Sequence, residues 1–222
     1  MRQSGKLGAR SATKCLLFLT LFACAYGYAQ LPAPTALSDY AGCTPYTCTW
    51  VPYIRNKVWK RGAYTYTVKT DAKGTGGDFI LRSGGSVLLS AELKDLDAGV
   101  AVTWSKDDAS FAVTWSDGGS IGGFHVLAFR ISGDKVRELP ATRQAFLNFR
   151  SRHYCEARGD NLQAYGWDSA ERLVLVASVY PTSDCGADMG YTEGYIVQAT
   201  TGKILRQMTL KELGLYMRQH PR

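Results

Sequence analysis

The chain has 222 residues, with 26 Lys and Arg against 19 Asp and Glu for a formal charge of +7, 45% hydrophobic and 12% aromatic side chains. Aromatic content this high excludes disorder along most of the chain, and the length fits one domain, or one plus a small appendage. A single apolar run approaches membrane length and falls short of it, which excludes a polytopic membrane protein.

Residues 1–14 carry Arg2, Lys6, Arg10 and Lys14 and no acid, and Cys15 to Ala25 then runs apolar. A basic segment followed by an apolar run too short to span a bilayer is the pattern of a secretory signal peptide. Gly27 and Ala29 put small residues at −3 and −1, so residues 1–29 are expected to be removed. Leu21-Phe22-Ala23-Cys24 resembles the bacterial lipobox, with Phe22 departing from its usual small or β-branched residue. The alternative is therefore a lipoprotein anchored in the envelope through Cys24. Removing residues 1–29 leaves 22 basic against 19 acidic residues, or +3. A charge that small is no nucleic-acid footprint.

Residues 30–50 hold Pro32, Pro34 and Pro45 without periodic pattern and read as an irregular tether, ahead of a single β-rich domain over 51–222. Four cysteines lie beyond Ala29: Cys43, Cys48, Cys155 and Cys185. An even number in an exported chain reads as disulfides. Cys43–Cys48 with Cys155–Cys185 is the preferred pairing, because Pro45 sits in a turn between the first two. Cys-x4-Cys with no His nearby is poor zinc spacing, and no metal or other cofactor is expected.

The segment that follows is the leading binding candidate. Arg55, Lys57, Lys60 and Arg61 are interleaved with Tyr53, Trp59, Tyr64 and Tyr66, and no acid occurs between Tyr40 and Thr70. Cations beside aromatic faces suit anionic or sugar-like ligands. The competing reading is an aromatic strand on a core edge with a solvated basic turn.

From Trp59 onward the dominant signal is alternation with period 2. Tyr64, Tyr66 and Val68 share one face, as do Val100, Val102 and Trp104, and then Phe111, Val113 and Trp115. Glycine pairs at 76–77, 84–85, 118–119 and 122–123 punctuate the pattern and predict antiparallel sheet. Leu173 to Ala177 is apolar on both faces and predicts a central, covered strand. Two helices are predicted. Thr142 caps Arg143 to Tyr154, with Ala145, Phe146, Phe149 and His153 on one side, and Thr209 caps a short terminal helix ending near Met217.

A weak internal repeat runs through this region. Trp104 to Val113 aligns with Trp167 to Val176, each a Trp, a polar turn and a strand. The turns Ser132-Gly133-Asp134-Lys135 and Thr201-Gly202-Lys203 follow some thirty residues later. Over residues 104–139 and 167–208 this resembles the blade repeat of TolB-like β-propellers. The resemblance implies four-stranded antiparallel units and no particular function. Two or three blades do not close a propeller. The expected fold is therefore mainly β, built from antiparallel meanders like a partial or distorted propeller, with one helix near 142–154 and a short C-terminal helix. A β-sandwich or an α+β fold is the alternative.

Gly118-Gly119-Ser120-Ile121-Gly122 is a literal G-x-S-x-G, in which Ser120 could act as the nucleophile of a hydrolase. Such an elbow needs a helix after the Ser, and Phe124 to Phe129 reads as a strand. Asp184, Asp188 and Glu193 surround Cys185 without the ligand run of a calcium loop, so a disulfide-pinned surface loop is expected there. Arg158-Gly159-Asp160 matches an adhesion tripeptide of little specificity. Asp95, Asp97, Asp107 and Asp108 read as turn residues.

These residues point to an exported, periplasmic or secreted, non-enzymatic binding protein whose β-sheet scaffold engages an envelope protein or a cell-wall component. The alternative is an envelope hydrolase using Ser120. No nucleic-acid partner is expected, and a membrane only if Cys24 is lipidated.

Overall fold

The computed structural model describes residues 49–51, 58–70, 76–96, 99–117, 123–153, 161–179 and 191–221. The protein is mainly β, and its described residues form three antiparallel sheets taken in chain order. Sheet I is the meander β2 (Val58–Arg61), β3 (Tyr64–Thr70), β4 (Gly76–Ser83) and β5 (Ser86–Lys94). Sheet II is the meander β6 (Gly99–Trp104), β7 (Ser110–Ser116), β8 (Phe124–Ser132) and β9 (Lys135–Leu139), with the three-residue strand β1 (Thr49–Val51) added beside β6. Sheet III is β10 (Leu162–Ser169), β11 (Arg172–Ser178), β12 (Thr192–Gln198) and β13 (Ile204–Met208). Helix α1 (Arg143–Arg152) joins sheet II to sheet III, and α2 (Leu210–Gln219) follows β13.

Sheet II lies between the other two, and its alternating side chains serve two different cores. Trp104, Phe111, Val113, Trp115 and Phe129 pack with Trp59, Tyr66, Phe79 and Leu81 of sheet I. Ala112, Val126 and Ala128 pack the other way, against Leu162, Ala164, Leu173 and Leu175 of sheet III. The first core is aromatic, with ring centroids 4.8 Å apart for Trp104–Phe111 and 5.1 Å for Phe111–Phe129. Such pairs add about 0.5–1.5 kcal/mol each beyond area burial. The second core uses small residues on the sheet II side, so β10 approaches closely enough for the Ala164 N–H to donate to Thr114 Oγ1 at 3.1 Å.

Both copies of the weak repeat occupy the same place in consecutive sheets. Trp104 lies opposite Phe111 across β6–β7, and Trp167 opposite Leu173 across β10–β11. A third copy stands in sheet I, where Trp59 lies opposite Tyr66 across β2–β3. It escapes a linear alignment because its turn, Gly62-Ala63, is shorter than the Ser105–Ala109 turn of sheet II. The Trp residues of sheets II and III reach back to the sheet before. Trp104 stacks on Tyr64 at 5.8 Å, and Trp167 Nε1 donates to the Thr103 carbonyl at 3.2 Å.

As expected, β11 is a buried interior strand, lying between β10 and β12. The first helix stops at Arg152, with His153 as its cap, short of the expected Tyr154. Thr142 sits at its N-cap in a helical conformation, φ −91° and ψ −33°, and its hydroxyl makes no capping bond. The expected cap geometry therefore fails there. Thr209 does cap α2, in a reciprocal box with Glu212, and that helix extends to Gln219. The two helices cover opposite faces of sheet III. Tyr195 and Val197 point toward α1, whose Ala145 and Phe149 join their core. Gly194 points toward α2, where a Cβ would stand 2.7 Å from Leu213 Cδ1. Tyr216 Oη donates to Asp168 Oδ1 at 3.0 Å, tying α2 back to β10.

Candidate functional site

The meanders have two unlike ends. Turns at 62–63, 84–85, 105–109, 133–134, 170–171 and 199–203 lie at one end. Arg61 Nε donates to Asp108 Oδ1 at 2.7 Å there, and Arg130 pairs with Glu171 at 3.7 Å, so the turns of the three sheets are held together. Asp107 Oδ1 accepts from Ser105 Oγ at 2.6 Å and from the Ala109 N–H. The Ser105 hydroxyl is the largest influence on the Asp107 carboxyl and holds it below its ordinary range. Asp95 and Asp108 both take positive φ, 55° each. Asp95, Asp107 and Asp108 therefore do turn work, as read from sequence; Asp97 lies outside the described residues.

At the opposite end stand the residues that flank the long connections. Val51 and Val58 flank the segment carrying Tyr53, Arg55 and Lys57. Asp117 and Gly123 flank the segment carrying Ser120, closed by Gly123 N–H donating to Asp117 Oδ1 at 2.5 Å. His153 and Asn161 flank the segment carrying Cys155, and Val179 and Tyr191 the segment carrying Cys185. These flanks are bonded to one another. Phe124 forms a parallel bridge with Asn161, Asn161 Nδ2 donates to Ser178 Oγ at 2.9 Å, and Val179 N–H donates to the Tyr191 carbonyl at 2.8 Å. The His153 ring stacks on Tyr191 with centroids 3.8 Å apart.

A buried carboxylate anchors this end. Tyr191, just before β12, and Glu193 and Tyr195 within it alternate onto the face covered by α1, and the Glu193 side chain is only 1% exposed. Arg152 grips it with both terminal guanidinium nitrogens, Nη1 donating to Oε1 at 2.7 Å and Nη2 to Oε2. Tyr195 Oη donates to Oε2 and Tyr191 Oη to Oε1 at 2.9 Å, while Gln207 Nε2 lies 3.3 Å from both oxygens. His153 Nε2 stands 3.5 Å from Oε1.

Burial pushes the Glu193 carboxyl up. The bonds from Arg152, Tyr195 and Tyr191 outweigh burial and hold the group down at about 2. Burial, and then donation to Glu193, push the Tyr195 phenol far above its ordinary range. The bonds from Arg152, Tyr191 and Tyr195 thus hold Glu193 as a carboxylate that fastens β12 to α1. The bidentate geometry is the strong form of charge-assisted hydrogen bonding.

The placement of Glu193 corrects its grouping with Asp184 and Asp188 as surface-loop acids; it sits in a strand, gripped from a helix. The signal that could have located it is Tyr191-x-Glu193-x-Tyr195, which puts three polar groups on one strand face. Of the candidate binding segment, Trp59 and Lys60 take opposite faces of β2. Trp59 is buried and stacks on Tyr66 at 5.9 Å, Lys60 is exposed, and Arg61 engages Asp108. Tyr53, Arg55 and Lys57 lie outside the described residues, as do Cys43, Cys48, Cys155, Cys185, Ser120, and Arg158 to Asp160. The segment holding Ser120 leads into strand β8, and His125 Nε2 lies 3.8 Å from Asp117 Oδ2 at its base.

Comparison with family models, curated proteins and solved structures finds no match to the chain.

Proposed function

We propose that the protein is an exported, non-enzymatic binding protein that engages an envelope protein or a cell-wall component with the end of the sheets from which the long connections leave. The observation that carries this reading is the convergence of their flanking residues, tied together through Phe124–Asn161–Ser178 and through Tyr191–His153 above the buried Glu193 anchor. Long connections on a rigid sheet scaffold are where recognition concentrates. The segment with Tyr53, Arg55 and Lys57 leaves from this same end, which supports keeping those side chains as the cationic and aromatic contacts.

The reading includes the Cys155–Cys185 disulfide. Cys155 is two residues beyond His153 and Cys185 six before Tyr191, and those two rings are in contact. Both thiols are thus within chain reach of one point.

The test is retention of isolated cell-wall sacculi and of periplasmic proteins on the immobilised chain from Gln30. The triple variant Tyr53→Ala/Arg55→Glu/Lys57→Glu is expected to lose retention by about tenfold or more, the scale of a contact hot spot. Lys135→Glu, at the tight-turn end, is expected to leave it unchanged. Retention no better than that of heat-denatured protein would sink the proposal.

A further inference from the structure

The longest edge strand among the described residues is also the least guarded. β5 runs nine residues, Ser86–Lys94, and pairs there only with β4. The other edges are blunted. β1 and β2 have three and four residues, a bulge opposite Ile196–Val197 breaks the five-residue β13, and β9 carries Lys135, Arg137 and Glu138 in five residues. β10 leans on sheet II, where its Ala164 N–H donates to Thr114 Oγ1. Short strands, bulges and charges are the devices by which sheets avoid further pairing. β5 has one bulge, at Leu88, and beyond it Leu89–Leu93 pairs regularly with β4 and holds a single charge, Glu92. The aromatic first core is also incomplete along this edge. Leu88, Leu89 and Ala91 of β5, with Leu127 and Val136 of sheet II, pack against that core and are only partly buried.

We propose that β5 is a self-association edge, through which two copies of the chain pair antiparallel over Leu89–Leu93 and join their first sheets into one. Opposed residues of an antiparallel pair share a face, so the inward Leu89, Ala91 and Leu93 must meet one another, and so must the exposed Ser90 and Glu92. A two-fold axis at Ala91 satisfies this. Leu89 then lies opposite the second copy's Leu93, and Ser90 opposite its Glu92. An axis at Glu92 would oppose two carboxylates, and one at Ser90 would carry the pairing across the Leu88 bulge. A second copy is the occupant that the strand itself describes, since each open core edge brings the apolar residues that the other lacks. An isologous interface of this kind closes at two subunits. Because the strands run antiparallel, the long-connection ends of the two copies face opposite ways, so the pair bridges two partners. That consequence rests on the binding reading, and the pairing does not.

The test is sedimentation equilibrium of the chain from Gln30, which retains the compact unit Pro32–Arg222. A reversible equilibrium between monomer and dimer is expected, with no larger species. Ser90 is exposed, so its variants leave the fold of the monomer intact. Ser90→Glu sets a carboxylate against the second copy's Glu92, twice by symmetry, and should raise the dimer dissociation constant about fivefold or more. Ser90→Lys makes two cross-strand ion pairs instead and should lower it about threefold. Ser86→Glu, outside the paired stretch, should leave it unchanged. A monomer at every concentration overturns the proposal, as does open-ended association. So do shifts of the same sign from Glu and Lys at position 90, or an effect of Ser86→Glu equal to that of Ser90→Glu.

Discussion

Arg152, at the last turn of α1, holds both carboxylate oxygens of Glu193, a side chain 1% exposed in the strand β12. The pair fastens the helix to the sheet where the Cys155 and Cys185 segments begin and end. Removing one partner leaves the other without its countercharge, which is costlier than losing the pair as a whole. Glu193→Ala is expected to lower unfolding free energy by about 3 kcal/mol, read from urea denaturation. Arg152→Lys should cost less than Arg152→Ala, because an ammonium keeps the charge and loses the bidentate fork.

The same group fixes an acid limit. Its folded carboxyl titrates at about 2, below the ordinary 4.5. The stability it supplies is therefore complete above the unfolded value and drains away as pH falls from 4.5 toward 2. Melting temperature followed across that window should drop in the wild type. Glu193→Gln should begin lower and show a flatter slope; an identical slope would mean that other carboxylates set the acid transition.

Two glycines with the same backbone handedness should respond differently to a methyl group. Gly133, φ +63°, has open space where its Cβ would stand, so Gly133→Ala should cost about 1–2 kcal/mol for the left-handed conformation alone. Gly202, φ +71°, would place its Cβ 2.4 Å from the Pro140 carbonyl oxygen. A backbone atom cannot swing aside, so Gly202→Ala should lose clearly more, measured by the same denaturation.

The cysteine pairing has a direct readout. Peptide mapping of the oxidised chain from Gln30 should recover Cys155 linked to Cys185 and Cys43 linked to Cys48. Any crossed pair would contradict the argument from the His153–Tyr191 contact.

Exposure to a fluorophosphonate probe separates the binding reading from the hydrolase one. No labelling is expected; labelling that disappears in Ser120→Ala would reverse the ranking.

Much of the scaffold is legible in the residues. Alternation at 64–68, 100–104 and 111–115 marks real strands, the apolar run at 173–177 marks a covered one, and Thr209 with Glu212 marks a helix start. What the pattern does not convey is the middle position of sheet II. Thr103, Ser110, Thr114 and Ser116 look like a polar side, yet all four are buried, because a third sheet covers them. Hydroxyls alternate with large apolar groups whether the second face meets water or a neighbouring sheet, so composition alone does not separate the cases. The anchor is less legible still. Glu193 and Arg152 lie 41 residues apart, and nothing local marks either as a partner of the other.

The back-reaching tryptophans have a consequence for how the molecule is made. Trp104 rests on Tyr64 and Trp167 bonds to Thr103, so each meander closes on the surface of one already synthesised. A chain delivered amino end first presents sheet I before sheet II and sheet II before sheet III, while β1 waits for β6 and the aromatic core closes when sheet II packs on sheet I. Shortening the chain from its carboxyl end should therefore spare the aromatic first core, whereas trimming from the amino end would strip the foundation on which everything after it is laid.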